Sequence, residues 1–153
     1  MDAYEQVADS FANHMLSISS RNASAIASQY ESNASVIWTG QGTTGLAFGG
    51  MGGTYVGAND IFIIMNASFI GQGSSFAVGS VTHTIVATSD DSAEVNSSFA
   101  FFGQNTSLGG NFNGTVSAQD SYVYSASNGG WLISRETWNF LSFNARGPLI
   151  FTG

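Results

Sequence analysis

Asp120-Ser121-Tyr122-Val123-Tyr124, followed after a short gap by Gly129-Gly130-Trp131-Leu132-Ile133-Ser134, reads as two β-strands joined by a turn. Aromatic and β-branched residues dominate both segments, and Asn128-Gly129-Gly130 between them is the chemistry a tight turn needs. The same signals recur upstream, at Ser89-Asp90-Asp91 and Gly109-Gly110. They divide the chain from residue 76 onward into four strands, and strands joined in succession by short turns form an antiparallel meander.

Before the meander the period changes. Val7, Phe11, His14, Met15 and Ile18 form one stripe at helical spacing, which predicts an amphipathic helix over residues 3–18 with His14 on its buried face. A second, short helix fits residues 22–30, with Asn22 as its cap and Ala23, Ile26, Ala27 and Tyr30 along one side. Ser35–Thr39 reads as a strand. A third helix fits residues 59–69, with Ile61, Ile64, Met65 and Phe69 inward and Gly57 or Asn59 at its start. Helices first and a meander afterwards is the order of an α+β fold, with the helices covering one face of the sheet. The 153 residues fit one domain, 1–153, and show no internal repeat.

Between residues 40 and 53 lie seven glycines, with Leu46, Phe48 and Met51 among them, and no regular element fits there. No GlyLysSer/Thr ending follows, so phosphate cradling is not expected. The segment is a lid carrying apolar side chains, a plain loop or a subunit contact.

Charged residues make up 8% of the chain against a usual value of about 25%, and the net charge is −7. The three basic residues are all arginines, Arg21, Arg135 and Arg146. Without a basic cluster to neutralise phosphate, nucleic acid is excluded as a partner. With 43% hydrophobic residues the chain has material for a core. No stretch has the apolar length of a membrane span. The absence of cysteine excludes disulfides and thiol chemistry.

Asn-X-Ser/Thr sequons stand at Asn22, Asn33, Asn66, Asn96, Asn105 and Asn113, none with proline in the middle. Chance in an Asn- and Ser-rich chain accounts for some of them. Together with the missing lysines, they lead us to expect an extracellular or cell-surface protein, open to glycosylation and suited to acid, because hydroxyls and amides stay hydrated where carboxylates lose their charge. Export further implies a leader or anchor outside this sequence.

The order of helix, helix, Ser35-Val36-Ile37-Trp38, then Tyr55-Val56-Gly57-Ala58-Asn59-Asp60-Ile61 leading into a third helix, with the hairpin quoted above at the end, resembles the nuclear transport factor 2-like superfamily in its ketosteroid isomerase and SnoaL-like branches. The resemblance spans nearly the whole chain. It implies a cone of three helices on a curved antiparallel sheet, an apolar pocket inside it, chemistry without a cofactor, and dimerisation through the sheet. Proteins similar to ketosteroid isomerase place an acidic base at the end of the first strand and two oxyanion donors, a tyrosine on the first helix and a protonated aspartate on the sheet. These positions fall here at Trp38, His14 and Asp120. A tryptophan accepts no proton, so the isomerase reaction in that form is in doubt. His83 matches the strand histidine of scytalone dehydratase-like proteins, but the tyrosine and aspartate that accompany it would fall at Ile18 and Ser19.

The residues themselves agree on placement. Asp120 alternates with Val116, Ala118, Tyr122 and Tyr124 on the more apolar face of its strand, where an aspartate needs a partner or a proton. His14 is the expected partner, either to transfer protons or simply to tie helix to sheet. His83 alternates with Val81, Ile85 and Ala87, and is either a satisfied buried histidine or an acid–base group. Trp38, Phe11, Tyr122 and Phe48 are expected to line the pocket, with Trp38 at its mouth or else in the core. No metal-ligand spacing joins His14 to His83, and no metal is expected. The expectation is thus a pocket for a small apolar ligand, used for binding or for lyase or isomerase chemistry. The alternative is a non-catalytic surface module with a filled pocket that acts by self-association or partner binding.

Overall fold

A computed structural model describes residues 2–40, 52–66, 74–105, 110–128 and 130–146. Helix α1 spans Ala3–Ser19, its start capped by the Asp2 carboxylate, which accepts from the Glu5 N–H at 2.8 Å. It buries the predicted stripe Val7, Phe11, His14, Met15 and Ile18. Helix α2 covers Ala23–Ser28, with the Asn22 side chain accepting from the Ala25 N–H. It ends before the predicted residue 30 because the sheet competes for the chain there: the Gln29 carbonyl accepts from the Ile133 N–H at 2.9 Å, and Tyr30 opens strand β1. Helix α3, Ala58–Met65, starts from Gly57 at φ +91° and buries Ile61 and Met65. The rest of the predicted third helix, 67–69, lies outside the described residues, as does most of the glycine-rich segment with Phe48.

The strands are β1 (Tyr30–Gly40), β2 (Gly53–Val56), β3 (Ser74–Thr88), β4 (Ser92–Asn105), β5 (Gly110–Ser125) and β6 (Gly130–Arg146). The four-strand meander follows the turn signals. The sheet runs β2-β1-β6-β5-β4-β3 and is mixed rather than wholly antiparallel, because β1 lies parallel to β6. Among the described residues no helix is long and apolar enough to cross a membrane.

Side chains on the face toward the helices fall in rows across the strands. Val36, Glu136, Asp120 and Val95 form one row; Trp38, Trp138, Ala118 and Ser97 form the next; Phe140, Val116 and Phe99 form a third. All of these residues are buried. Beyond them Phe101 lies over Gly114, where a Cβ would come 2.5 Å from its ring, so only glycine fits.

Candidate functional site

Three elements aim polar side chains into the first of these rows. The stripe of α1 turns His14 inward, and the alternation of β5 turns Asp120 and Tyr122 inward. In β6 strict alternation from Trp131 and Ile133 would have put Arg135 inside. The pairing shifts by one residue between Ser121 and Tyr122, where Ser134 is extra, so the phase flips and Glu136 faces the core with Trp138 and Phe140. The sequence reading missed Glu136 for this reason. The signal was present: buried-type residues stand at odd positions before the shift and at even ones after it.

Glu136 is fully buried and is the hub of the cluster. Its Oε2 lies 2.8 Å from His14 Nε2, its Oε1 accepts from the Tyr30 hydroxyl at 2.6 Å, and Asp120, directly across from it on β5, hydrogen-bonds to it as well. The other His14 nitrogen, Nδ1, is 2.8 Å from Gln29 Oε1. The Gln29 amide nitrogen donates to Ser17 Oγ and toward the Asn13 carbonyl, so its oxygen is what faces the histidine. Both ring nitrogens therefore donate, and His14 is an imidazolium. Burial alone would lower its pKa, but the Glu136 charge and the hydrogen bonds to Glu136 and Gln29 outweigh burial and raise it. For Glu136 burial works upward, and the His14 charge with the bonds from His14, Asp120 and Tyr30 turns the result downward. Asp120 is pushed well above the carboxylate range, first by burial and then by the neighbouring Glu136 charge, and stays neutral. Tyr30 and Tyr122 are also pushed well up, chiefly by burial.

Among the described residues, the buried Asp120 Oδ1 and Tyr122 hydroxyl have no donor or acceptor from a neighbouring group within hydrogen-bond geometry. A cavity of about 200 Å³ reaches His14 and Tyr122 between the end of α2 and the start of β6, lined also by Ser10, Asn13, Gln29 and Trp131. His14, Asp120 and Glu136 are also the residues whose chemistry suits a metal ion.

The other expected site residues fall elsewhere. Phe11 is a core residue of α1. Trp38 is not at a mouth: it is 2% exposed and stacks on Trp138 at 5.6 Å, with Phe140 and Tyr55 edge-on. His83 is not buried. It sits exposed on edge strand β3 with its ring 4.8 Å from that of Phe11, and shifts in pairing at Gly79/Thr82 and Ile85/Ala87 break the alternation that suggested burial. His14 and Asp120 come together, although through Glu136.

No family model matches the chain, and no curated protein matches it in sequence. Solved structures do match. A ketosteroid isomerase-like protein from Erwinia carotovora atroseptica superposes with a TM-score of 0.72 at 15% identity, over 90% of this chain and 95% of that one. The hexachlorocyclohexane dehydrochlorinase LinA type 3 of Novosphingobium barchaimii gives 0.66 at 15% identity, over 99% and 94%. A protein from Catenulispora acidiphila in complex with S-DNPA gives 0.65 at 13% identity, over 90% and 92%. These likenesses speak to fold, and with the order of elements read from the residues they lead to one conclusion: the chain has the α+β fold of the nuclear transport factor 2-like superfamily, as found in its ketosteroid isomerase-like members.

Proposed function

We propose that this protein is a small-molecule pocket protein of the SnoaL-like type, in which Asp120 and Tyr122 hold the polar group of an otherwise apolar ligand for binding or for lyase or isomerase chemistry. One observation carries the reading: the Tyr122 hydroxyl is buried without a partner among the described residues, on the same strand face as Asp120, whose carboxyl bonds to Glu136 and whose Oδ1 accepts from no donor there. A buried polar atom left unpaired costs about 1–3 kcal/mol, and a ligand group that pairs with it recovers that cost. The cavity lined by Tyr122 and His14 gives such a group a way to the Tyr122 ring, in the row next to the one that holds Asp120. A neighbour of the same fold holding S-DNPA supports a small ligand.

The chemistry available is proton donation and polarisation. Asp120 is a neutral acid, and the Tyr122 hydroxyl is a donor without an assigned acceptor. Removal of a proton by the end of β1 is not available, since Trp38 stands there inside an aromatic stack. That same stack supports the second reading, a non-catalytic module whose interior is filled by its own side chains.

A thermal-shift screen against apolar carbonyl and hydroxyl compounds separates the two. A ligand that stabilises the protein and binds at least about tenfold more weakly to Asp120→Asn and Tyr122→Phe supports the pocket. Equal binding by both variants removes these residues from it, and an empty screen favours the filled module.

A further inference from the structure

His14, Asp120 and Glu136 come from α1, β5 and β6, lie far apart in sequence, and each presents one ligand-type atom within 4.8 Å of the other two. All three are at least 98% buried, at 1%, 2% and 0% exposure. We propose that these three side chains form a divalent-cation site, one imidazole and two carboxylates, of the kind that suits Zn²⁺, Co²⁺ or Mn²⁺. The proposal goes beyond the pocket reading and does not rest on it, and it departs from the sequence expectation that no metal or cofactor is used.

Ligand charge and outer partners favour it. As ligands, one imidazole and two carboxylates carry a charge of −2, which one divalent ion neutralises, so the loaded site places no net charge in a dry interior. The outer partners can remain in place: His14 Nδ1 keeps donating to Gln29 Oε1, which directs Nε2 at the ion, and Tyr30 keeps donating to Glu136 Oε1, which leaves Oε2 for it. Asp120 Oδ1 accepts from no donor among the described residues, and the Asp120 bond to Glu136 is the contact an ion replaces. A tetrahedral ion with bonds of about 2.0–2.1 Å sets its ligand atoms about 3.4 Å apart. That lies between the 2.8 Å of the His14–Glu136 pair and the 4.8 Å outer limit of the group, so the pair opens and the third ligand closes by side-chain rotation.

The test titrates Co²⁺ and Zn²⁺ into the full chain after chelator treatment, with no organic ligand present. Visible absorption reports Co²⁺ coordination, and calorimetry gives stoichiometry and affinity. Expected are one ion per chain, visible Co²⁺ bands abolished by Zn²⁺, and affinity weakened at least about tenfold in Glu136→Gln and Asp120→Asn. No Co²⁺ band at millimolar ion overturns the proposal, as does equal affinity in the variants, which marks surface carboxylates. Should Glu136→Gln fail to fold by circular dichroism, Asp120→Asn decides, because it replaces a neutral acid by a neutral amide of nearly the same shape. A ligand screen that comes up empty leaves these outcomes untouched.

Discussion

Two neighbouring rows of the inner sheet face solve the same problem of filling space in opposite ways. In one, Asp120 and Glu136 sit opposite each other between Val36 and Val95, with His14 and Tyr30 completing a hydrogen-bonded cluster. In the next, two residues further along β1 and β6, Trp38 and Trp138 stack, and Phe99 and Phe140 meet them edge-on. The aromatic row stabilises by area and shape, so each ring contributes largely on its own account. The polar row stabilises only as a set, because the imidazolium is tolerable inside only while Glu136 is ionised beside it. The resemblance read from the sequence led us to expect chemistry at the end of the first strand. Here the division between rows runs just before that point, with aromatic bulk at Trp38 and the ionisable groups one row away.

The sharpest way to break this comparison is to damage each row and then try to repair it. Trp38→Ala and Glu136→Gln are each expected to cost about 3–5 kcal/mol in urea unfolding, the first by leaving a cavity and the second by stranding a buried cation. Only the second is repairable from a distance. Adding His14→Leu to Glu136→Gln removes both charges and should return most of the loss, a coupling readable as a double-mutant cycle. If the double variant is no more stable than Glu136→Gln, the cluster is not held together by that ion pair.

The helix stripe and the meander were legible in the sequence because period and composition agree there: Val7, Phe11, His14 and Ile18 on α1, and the turns that cut the meander. The aromatic row was not, since Trp38 was expected to line a pocket and instead stacks on Trp138. Asp120 was legible as a polar residue on an apolar strand face. Glu136 was not, because one extra residue in β6 reverses its face and no local pattern announces the shift except the change of phase itself. Neither was the parallel union of β1 with β6, since pairing between segments a hundred residues apart leaves no mark on either. His83 shows the reverse error: alternation suggested burial, but on an edge strand with two pairing irregularities its ring meets Phe11 and stays exposed.

A smaller effect tests how far Glu136 depends on its neutral donors. Tyr30→Phe removes the 2.6 Å hydrogen bond to Oε1 while keeping the ring, and is expected to cost about 1.5–3 kcal/mol, the range for bonds to a charged group. A loss below about 0.5 kcal/mol would mean that water or a neighbour replaces the hydroxyl, and that the polar row is looser than its distances state.

The smallest effect has the opposite sign. The Tyr122 hydroxyl is buried and pairs with nothing among the described residues, so in the folded protein it pays desolvation without return. Tyr122→Phe keeps the ring that fills the row beyond Asp120 and deletes only that oxygen. It is expected to leave stability unchanged or to raise it by up to about 1 kcal/mol, measured as the urea midpoint at constant slope. A clear loss would show that the hydroxyl has a structural partner, such as a bound water, and would remove half of the observation on which the ligand reading stands. A gain in stability together with weaker ligand binding would place the cost of this buried oxygen with function, the trade a binding site makes and an aromatic core has no reason to make.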